Sequence, residues 1–451
     1  MDRRTFLQTS ALAGGTLVAA RAAAQHEGHG APAPASVPPL APAPAPARNE
    51  PARRPAAPGG QVAVHTPNGV TLPWKTRGRL KIGHLVAMSF QHEFAPGLSA
   101  EVWGYNGHTP GPTIEAVEGD TVRIYVTNRL PEPTTVHWHG LFLPNGMDGV
   151  SGLNQHPIPP GQTFCYEFPL IQSGTFMYHP HFDEMTQMAL GMVGMFIVHP
   201  RRPVGPRVDR DFVLMTHEWS LAPGAKRPDP NEMKDFNLLT FNSKAFPGTE
   251  PLLVRRGDRV RLRFGNLSAM DHHPIHLHGY AFEMTATDGG TVPPSARYPE
   301  TTVLVPVGAT RVVEFVADQL GDWAMHCHMT HHIMTQMGHG LPVMVGADAA
   351  RIDQRVQAVL PEYMTMGHDG MGAMAHMDMP FPENSLPMRG TPGPFGTIDM
   401  GGMFTVLKVR AEYREEDRAG WYAHPEGTVA KAADGAQMAA DGVDPAALFE
   451  G

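Results

Sequence analysis

The sequence predicts an all-β protein built as two tandem Greek-key β-sandwich domains, with irregular extensions at both ends. Charged residues make up only 18% of the chain, while 48 glycines and 45 prolines supply many turn positions. Apolar and polar residues alternate in short runs interrupted by proline and glycine, which is typical of sandwich strands. The central part of the chain also repeats itself. Together these observations favour packed sheets over helices.

The first 24 residues are typical of an export signal. Arg3 and Arg4 form a twin-arginine pattern, followed by the apolar run 11–20 and a small-residue cleavage site. The run is too short to span a bilayer, so no stable membrane anchor is expected. We therefore predict a periplasmic or extracellular protein, exported by the twin-arginine route. Residues 25–60 are rich in alanine and proline and are predicted to form a disordered linker.

Two copies of one pattern follow the linker and define the predicted domains, residues 75–200 and 205–346. In each copy a Gly-Asp pair, at Gly119 or Gly257, precedes a His-x-His-Gly motif at nearly the same distance. Because only a few residues separate the copies, no middle domain fits between them.

Four paired-histidine motifs are distributed over the two copies. Their histidines are His137 and His139, His179 and His181, His276 and His278, and His326 and His328. One such pair alone is usually an ordinary structural feature, but four pairs with a cysteine inside the last one indicate metal binding. On a strand, alternate side chains leave opposite faces, so Cys327 is expected to point away from both histidine neighbours.

Cys327, His332 and Met337 supply most of a blue-copper site, in which a thiolate and two histidines bind with a weak axial methionine. The second histidine must come from elsewhere in the chain. Cys165 lies in an alternating, strand-like run and is interpreted as a buried core thiol, so no disulfide is expected. The formal charge of −9 argues against nucleic acid as a partner.

The motif set resembles the multicopper oxidases, the family of laccases and copper-resistance oxidases, over roughly residues 75–346. The resemblance implies cupredoxin-like domains and four coppers: one type 1, one type 2 and a type 3 pair. It also implies one-electron oxidation of a donor, coupled to four-electron reduction of dioxygen to water. Pro180 occupies in the first copy the position of Cys327 in the second, so only the second domain is expected to hold a type 1 site.

Carrying the family pattern over position by position implies a complete ligand set. The type 1 copper takes His273, Cys327 and His332, with Met337 axial. The type 2 copper takes His137 and His276. The type 3 pair takes His139, His179, His181, His278, His326 and His328.

Three further residues are expected near these ligands. Asp148 stands where related enzymes place a carboxylate near the type 2 copper and is expected to deliver protons, although aspartate before glycine is also common in turns. His272 and His331 adjoin ligands and are expected to occupy supporting or surface positions.

The two-domain arrangement resembles the small laccases, which implies a homotrimer. Each trinuclear copper site would then lie at a subunit interface, with four histidines from either side. A closed pairing within one chain is the alternative. A copper nitrite reductase is also two-domain and trimeric, but it would need its cysteine site in the first domain.

The C-terminal extension, residues 347–451, is rich in methionine and histidine between residues 363 and 403. Thioethers select Cu(I). The segment either collects cuprous ions or is a low-complexity or packing segment, and residues 402–409 are predicted to form a strand. Cu(I) is therefore the favoured donor, with a role in copper tolerance. Phenols, aromatic amines and Mn(II) are alternative donors, and a copper-sequestering protein without turnover is the rival of another class.

Overall fold

The computed structural model describes residues 61–203, 205–233, 236–334, 354–355, 358, 383–386 and 390–445. All of them belong to one compact unit, Pro51–Gly451. The predicted export signal and linker, Met337 and the stretch 363–379 lie outside the described residues. Our statements about those segments therefore stay predictions.

The first half of the described chain forms two sheets. Its strands are β1 (Lys75–Arg77), β2 (Leu80–Ala95), β3 (Leu98–Tyr105), β4 (Gly111–Val117), β5 (Thr121–Asn128), β6 (Thr163–Pro169), β7 (Gly174–Tyr178) and β8 (Gly194–His199). One sheet has the order β1-β2-β5-β6, with β3 paired to β2, and the other has the order β4-β8-β7. Strand β2 is parallel to β5, which is antiparallel to β6. Strand β4 is parallel to β8, which is antiparallel to β7.

The second half repeats these pairings. Its strands are β9 (Arg210–Trp219), β10 (Leu238–Phe241), β11 (Leu252–Arg255), β12 (Arg259–Asn266), β13 (His273–Leu277), β14 (Phe282–Thr287), β15 (Gly290–Thr291), β16 (Pro299–Glu300), β17 (Thr302–Val305), β18 (Thr310–Val316), β19 (Gly321–Cys327), β20 (Thr391–Gly393), β21 (Gly396–Ile398) and β22 (Phe404–Arg410). The larger sheet has the order β10-β9-β12-β18-β14-β15, and the other has the order β11-β22-β19-β13-β17. As in the first half, each sheet contains a parallel pair next to an antiparallel one: β9 with β12 and β18, and β11 with β22 and β19.

In the part of the chain that the structure describes, the helices with given bounds are short. They are α1 (Glu184–Ala189), α2 (Gly435–Ala440) and single 3-10 turns at Asn145–Met147, Pro294–Ala296, Thr330–Ile333 and Glu415–Arg418. Within the described ranges, no helix is long and apolar enough to cross a membrane. The predicted all-β class is therefore confirmed.

Burial of the central residue of each motif orients its histidines. Trp138 is fully buried and packs edge-on against Tyr166 in the first core. Leu277 and Cys327 are equally inaccessible in the second core. Burying an aliphatic side chain such as Leu277 contributes roughly 1.5–3 kcal/mol. Because strand neighbours alternate between faces, this burial directs the flanking histidines away from the core.

The predicted strand in the C-terminal extension is present as β22, and it is an inner strand of the second-half sheet, between β11 and β19. The boundary at residue 346 stays a prediction, but this sheet takes one of its strands from beyond it. Sequence reasoning assigned Cys165 to the core, and that is wrong: the residue is exposed. In β6, Tyr166 and Phe168 point inward, so the alternation places Cys165 on the outer face.

Candidate metal centres

The second core contains a cluster of His273, Cys327 and His332, all completely buried. His273 begins β13, Cys327 ends β19, and His332 lies in the 3-10 turn Thr330–Ile333. These two strands are antiparallel neighbours, which brings the first two residues together. Spacing in the sequence does not predict this proximity, because the pairing joins distant parts of the chain.

The three donor atoms are spaced as ligands of one metal. Cys327 Sγ is 3.3 Å from His332 Nδ1 and 3.8 Å from His273 Nδ1, and the two nitrogens are 3.2 Å apart. Two nitrogens that each lie about 2.0 Å from a shared metal are themselves roughly 3 Å apart. A sulfur ligand at about 2.3 Å from the same metal lies slightly farther from each nitrogen. The cluster therefore fits a metal with two imidazole ligands and one thiolate ligand.

Each imidazole of this cluster has a partner on its outer side. Ser268 Oγ lies 2.7 Å from His273 Nε2, and Asp271 Oδ2 lies 3.4 Å from His332 Nε2. When Nδ1 binds a metal, the ring hydrogen lies on Nε2, where Ser268 Oγ can accept it from His273 and the nearby Asp271 carboxylate favours it on His332. Sequence reasoning missed both residues, although each lies within five positions of His273 and carries a polar side chain.

Burial also sets the protonation of the cluster. It raises the pKa of the Cys327 thiol to about 12. Burial, with the neighbouring imidazole of His332, lowers the pKa of His273 well below its ordinary value. The imidazole is therefore ready to bind a cation, while the thiol needs one to release its proton.

The first half gathers His137, His139, His179 and His181 into one cluster. His137 Nδ1 donates to the Asp148 carbonyl at 2.8 Å, and His179 Nδ1 donates to the Pro180 carbonyl at 2.9 Å. A carbonyl only accepts, so both rings carry hydrogen on Nδ1 and keep a free lone pair on Nε2. His139 Nδ1 lies 3.2 Å from His179 Nε2, which again matches two ligands of one metal.

The second half contains the matching cluster of His276, His278, His326 and His328. His276 Nδ1 donates to the Thr301 carbonyl at 2.7 Å, and His326 Nδ1 donates to the Cys327 carbonyl at 2.8 Å. The Nε2 atoms of His278 and His326 are 3.2 Å apart. The two clusters therefore use the same arrangement of backbone acceptors.

These two clusters do not touch each other within the chain. Among the described residues, no hydrogen bond or ring contact links a histidine of one cluster with a histidine of the other. His139 instead faces the backbone of Gly308, where a Cβ atom would lie 3.9 Å from His139 Cε1. In the trinuclear site that the family resemblance implies, each cluster would supply one half, and we call each of them a half-site.

Two carboxylates lie beside the first-half cluster. Asp148 Oδ1 is 3.4 Å from His137 Nδ1, so the structure brings this predicted residue to the histidine we expected. Its neighbour Gly149 approaches Val136 so closely that a Cβ would lie 1.8 Å from the Val136 carbonyl oxygen, with a positive φ of 87°. Glycine is therefore required at this position.

Sequence reasoning missed the second carboxylate, Glu184. Its Oε1 lies 3.4 Å from His179 Nδ1, and its Oε2 lies 3.6 Å from His181 Nε2. The signal was its position, three residues after His181 and at the first residue of α1.

His272 and His331 occupy the supporting positions that we expected. His272 is exposed, and its Nδ1 accepts the Val307 N–H at 3.0 Å. The His331 ring packs edge-on against His332, with ring centroids 4.3 Å apart. Neither residue belongs to the buried cluster.

Residues 88–203 and residues 223–347 each match the family described as multicopper oxidase, and together they cover more than half of the chain. The chain belongs to the multicopper oxidase family. Members of this family bind copper, and the donor clusters described above suit that metal. Copper is therefore confirmed as the cofactor. Which residue binds which copper remains a proposal.

Two curated proteins and one solved structure show the range of similar multicopper oxidases. Copper resistance protein A of Escherichia coli is 32% identical over 238 residues, which are 42% of this chain and 39% of that protein. Laccase-1 of Cryptococcus neoformans var. grubii is 33% identical over 225 residues, 44% of this chain and 36% of that protein. The chain therefore spans less than two fifths of the length of either relative.

The crystal structure of the blue copper oxidase from Nitrosomonas europaea is 26% identical with a TM-score of 0.53, covering 72% of this chain and 85% of that one. This likeness and the sheet pairings described above confirm the cupredoxin-like fold.

Proposed function

We propose that this multicopper oxidase couples one-electron oxidation of a donor, preferably Cu(I), to four-electron reduction of dioxygen to water. The observation that carries the proposal is the position of Cys327. Its side chain completes a buried His273–Cys327–His332 cluster, while its two chain neighbours belong to a histidine half-site. A protein that only stores copper has no need to join such sites by a few covalent bonds.

The ligands divide among three types of copper. His273, Cys327 and His332 hold the type 1 copper, for which Met337 is the axial ligand that the sequence predicts. His137 and His276 hold the type 2 copper through Nε2, because carbonyl oxygens occupy both of their Nδ1 hydrogens. His139, His179, His181, His278, His326 and His328 hold the type 3 pair.

When bound, copper supplies the one-electron chemistry and oxygen binding that these side chains lack. The chain excludes water from the type 1 ligands by burying them completely. Reduction of one dioxygen to two waters consumes four protons as well as four electrons. Asp148 and Glu184 lie beside the first-half histidines and are our proposal for the groups that hold and pass these protons.

The separation of the two half-sites supports an assembly of several subunits. Three neighbouring coppers need histidines from both clusters, and the clusters of one chain do not touch among the described residues. We infer that the first half of one subunit meets the second half of another in a closed homotrimer, whose cyclic symmetry builds each site from two chains.

The choice of Cu(I) as donor rests on sequence and on kinship. The segment 363–403 contains many methionines, whose thioethers select Cu(I). A relative bears the name copper resistance protein A. The second candidate is a laccase that oxidises phenols or aromatic amines, favoured by the similarity to Laccase-1. The signal-like residues 1–24 support export by the twin-arginine route to the periplasm or outside the cell.

Oxygen uptake by the copper-loaded full chain tests the proposal, with Cu(I) and a simple phenol as alternative donors. Cys327→Ser removes the thiolate and is expected to abolish both the visible thiolate-to-copper band and uptake with either donor. Cys165→Ser is the matched control, because it changes the exposed cysteine of the first half. Undiminished uptake by the Cys327→Ser protein would contradict the proposal, and preference for the phenol would favour the laccase.

A further inference from the structure

Strand β22, which pairs with the Cys327-containing strand β19, comes from a distant part of the chain. In the first half, β8 follows its antiparallel neighbour β7 after residues 179–193. In the second half, β22 follows β19 only after residues 328–403. Since β22 is parallel to β11 as β8 is parallel to β4, β22 is the second-half counterpart of β8.

Met403, the residue just before β22, is hydrogen-bonded to two residues of the buried cluster. Its N–H donates to the His332 carbonyl at 3.0 Å, and its carbonyl accepts the Cys327 N–H at 3.1 Å. The preceding Gly402 has a positive φ of 56°, and a Cβ there would lie 2.5 Å from the His332 oxygen. Only glycine permits this close approach of the two segments.

The side chain of Met403 belongs to the face of the sheet that carries Cys327. Phe404 stands opposite His326 in the antiparallel register, so the next pair places Met403 opposite Cys327. Residues directly opposite each other share a face, with Cβ atoms about 4.5–5.5 Å apart. Phe404 stacks on His326, with ring centroids 6.5 Å apart. Met403 is completely buried in the same core as Cys327.

A second methionine of this segment lies on the other face. Met400 is half-buried and packs against a small separate cluster that contains Phe246, Phe404 and Val406. The segment thus presents one thioether to the core that contains the type 1 ligands and keeps its neighbour away from that core.

We propose that Met403 supplies the axial thioether of the type 1 copper, in place of Met337. The inference rests on the proposed function and extends it. Methionine is a weak axial ligand that tunes the reduction potential. His332 and Met403 are then ligands of the same copper, and residues 333–402 lie between them in the sequence. The methionine-rich part of the sequence lies between two ligands of the same copper, attached to a ligand at each end.

The test measures the reduction potential, visible band and electron paramagnetic resonance spectrum of the type 1 copper in the copper-loaded full chain. Met403→Leu conserves volume, which core positions usually tolerate. We expect it to raise the potential, because loss of the thioether removes a donor that stabilises Cu(II). Met403→Gln places an oxygen donor there and is expected to lower the potential, so the two variants shift it in opposite directions. Far-UV circular dichroism checks that each variant is folded.

Met337→Leu and Met400→Leu are the matched controls, and both should retain the potential and spectra of the wild type. A shift in the Met337→Leu protein with none in either Met403 variant would overturn the inference and leave the proposed function standing. A wild-type protein that shows no type 1 spectrum when loaded with copper would overturn both.

Discussion

The two histidine half-sites share a backbone arrangement, and one instructive difference between them is the residue that follows His179 or His326. His179 and His326 each donate Nδ1–H to the carbonyl of the next residue, at 2.9 and 2.8 Å. That residue is Pro180 in the first half and Cys327 in the second. A backbone carbonyl therefore orients the imidazole in both halves, whatever the side chain. Because proline has no ligand atom, only the second half joins its half-site to a buried thiolate.

The halves also differ in the length of chain that comes after the cysteine position. The chain returns directly from β7 to β8 in the first half, whereas the return from β19 to β22 includes the methionine-rich sequence. The half with the thiolate is thus the half that contains the extra segment. Under the proposed function this comparison separates two tasks: both halves would hold oxygen-reducing coppers, and the second half would also receive electrons from the donor.

The largest expected effect comes from separating the half-sites onto different chains. His139→Ala damages the first-half cluster and His278→Ala damages the second, so each variant alone should take up no oxygen. In randomly reassembled trimers of the two, about one interface in four joins two intact halves, and roughly a quarter of wild-type uptake should return. Mixed trimers that stay inactive, with both variants assembled and copper-loaded, would show that each site forms within one chain.

The second effect concerns protons in the first half. Asp148→Asn removes the carboxylate near His137 but keeps the carbonyl that orients the ring. At saturating donor we expect oxygen uptake to fall by about 10²- to 10⁴-fold, the usual contribution of a proton-transfer group. Copper content should not change, and the pH profile of uptake should lose a limb. An unaltered rate and profile would reduce Asp148 to a turn residue.

A smaller effect is expected at the type 1 cluster. Ser268→Ala removes the hydroxyl that lies 2.7 Å from His273 Nε2. Outer partners of this kind typically contribute about 10- to 100-fold in metal affinity. The visible band should therefore fade at a lower chelator concentration than in the wild type. Ser89→Ala, which removes a hydroxyl that donates to Glu101, is the control. Equal chelator resistance of the two variants would argue against a positioning role for Ser268.

The smallest effect is expected when the first half is given a cysteine at the position that distinguishes the two halves. Pro180→Cys gives the first half a thiol at the position of Cys327, but the position that matches His273 is occupied by Thr134, which donates to Gln187. We expect no second visible thiolate band and an unchanged type 1 spectrum, measured by absorption per copper. A second band would show that the first half holds a hidden set of type 1 ligands.

Local patterns in the sequence predicted the features that depend on neighbours in the chain. The repeat, the all-β class and the direction of the motif histidines follow from strand alternation, as burial of Trp138 and Leu277 shows. The same rule failed at Cys165, because alternation predicts two faces without saying which one is buried. Tyr166 and Phe168 occupy the core, and the thiol is exposed.

Features that depend on long-range contacts were not predictable from one sequence. The hydrogen bonds of Met403 to Cys327 and His332 span residues far apart in the chain, and no spacing rule connects them. The contact between Ser268 and His273 is local, but it depends on how the chain enters β13. Glu184 is only three residues from His181, but its approach to His179 depends on how the chain turns into the short helix α1.

The measurement that tests the account most directly is the copper content and electron paramagnetic resonance spectrum of the wild-type and Cys327→Ser proteins. The account predicts about four coppers per chain in the wild type, one of them with a type 1 spectrum. It predicts loss of that one copper and its visible band in the Cys327→Ser protein, while the type 2 signal remains. A Cys327→Ser protein that keeps a type 1 spectrum would contradict the assignment of the single thiolate centre to the second half.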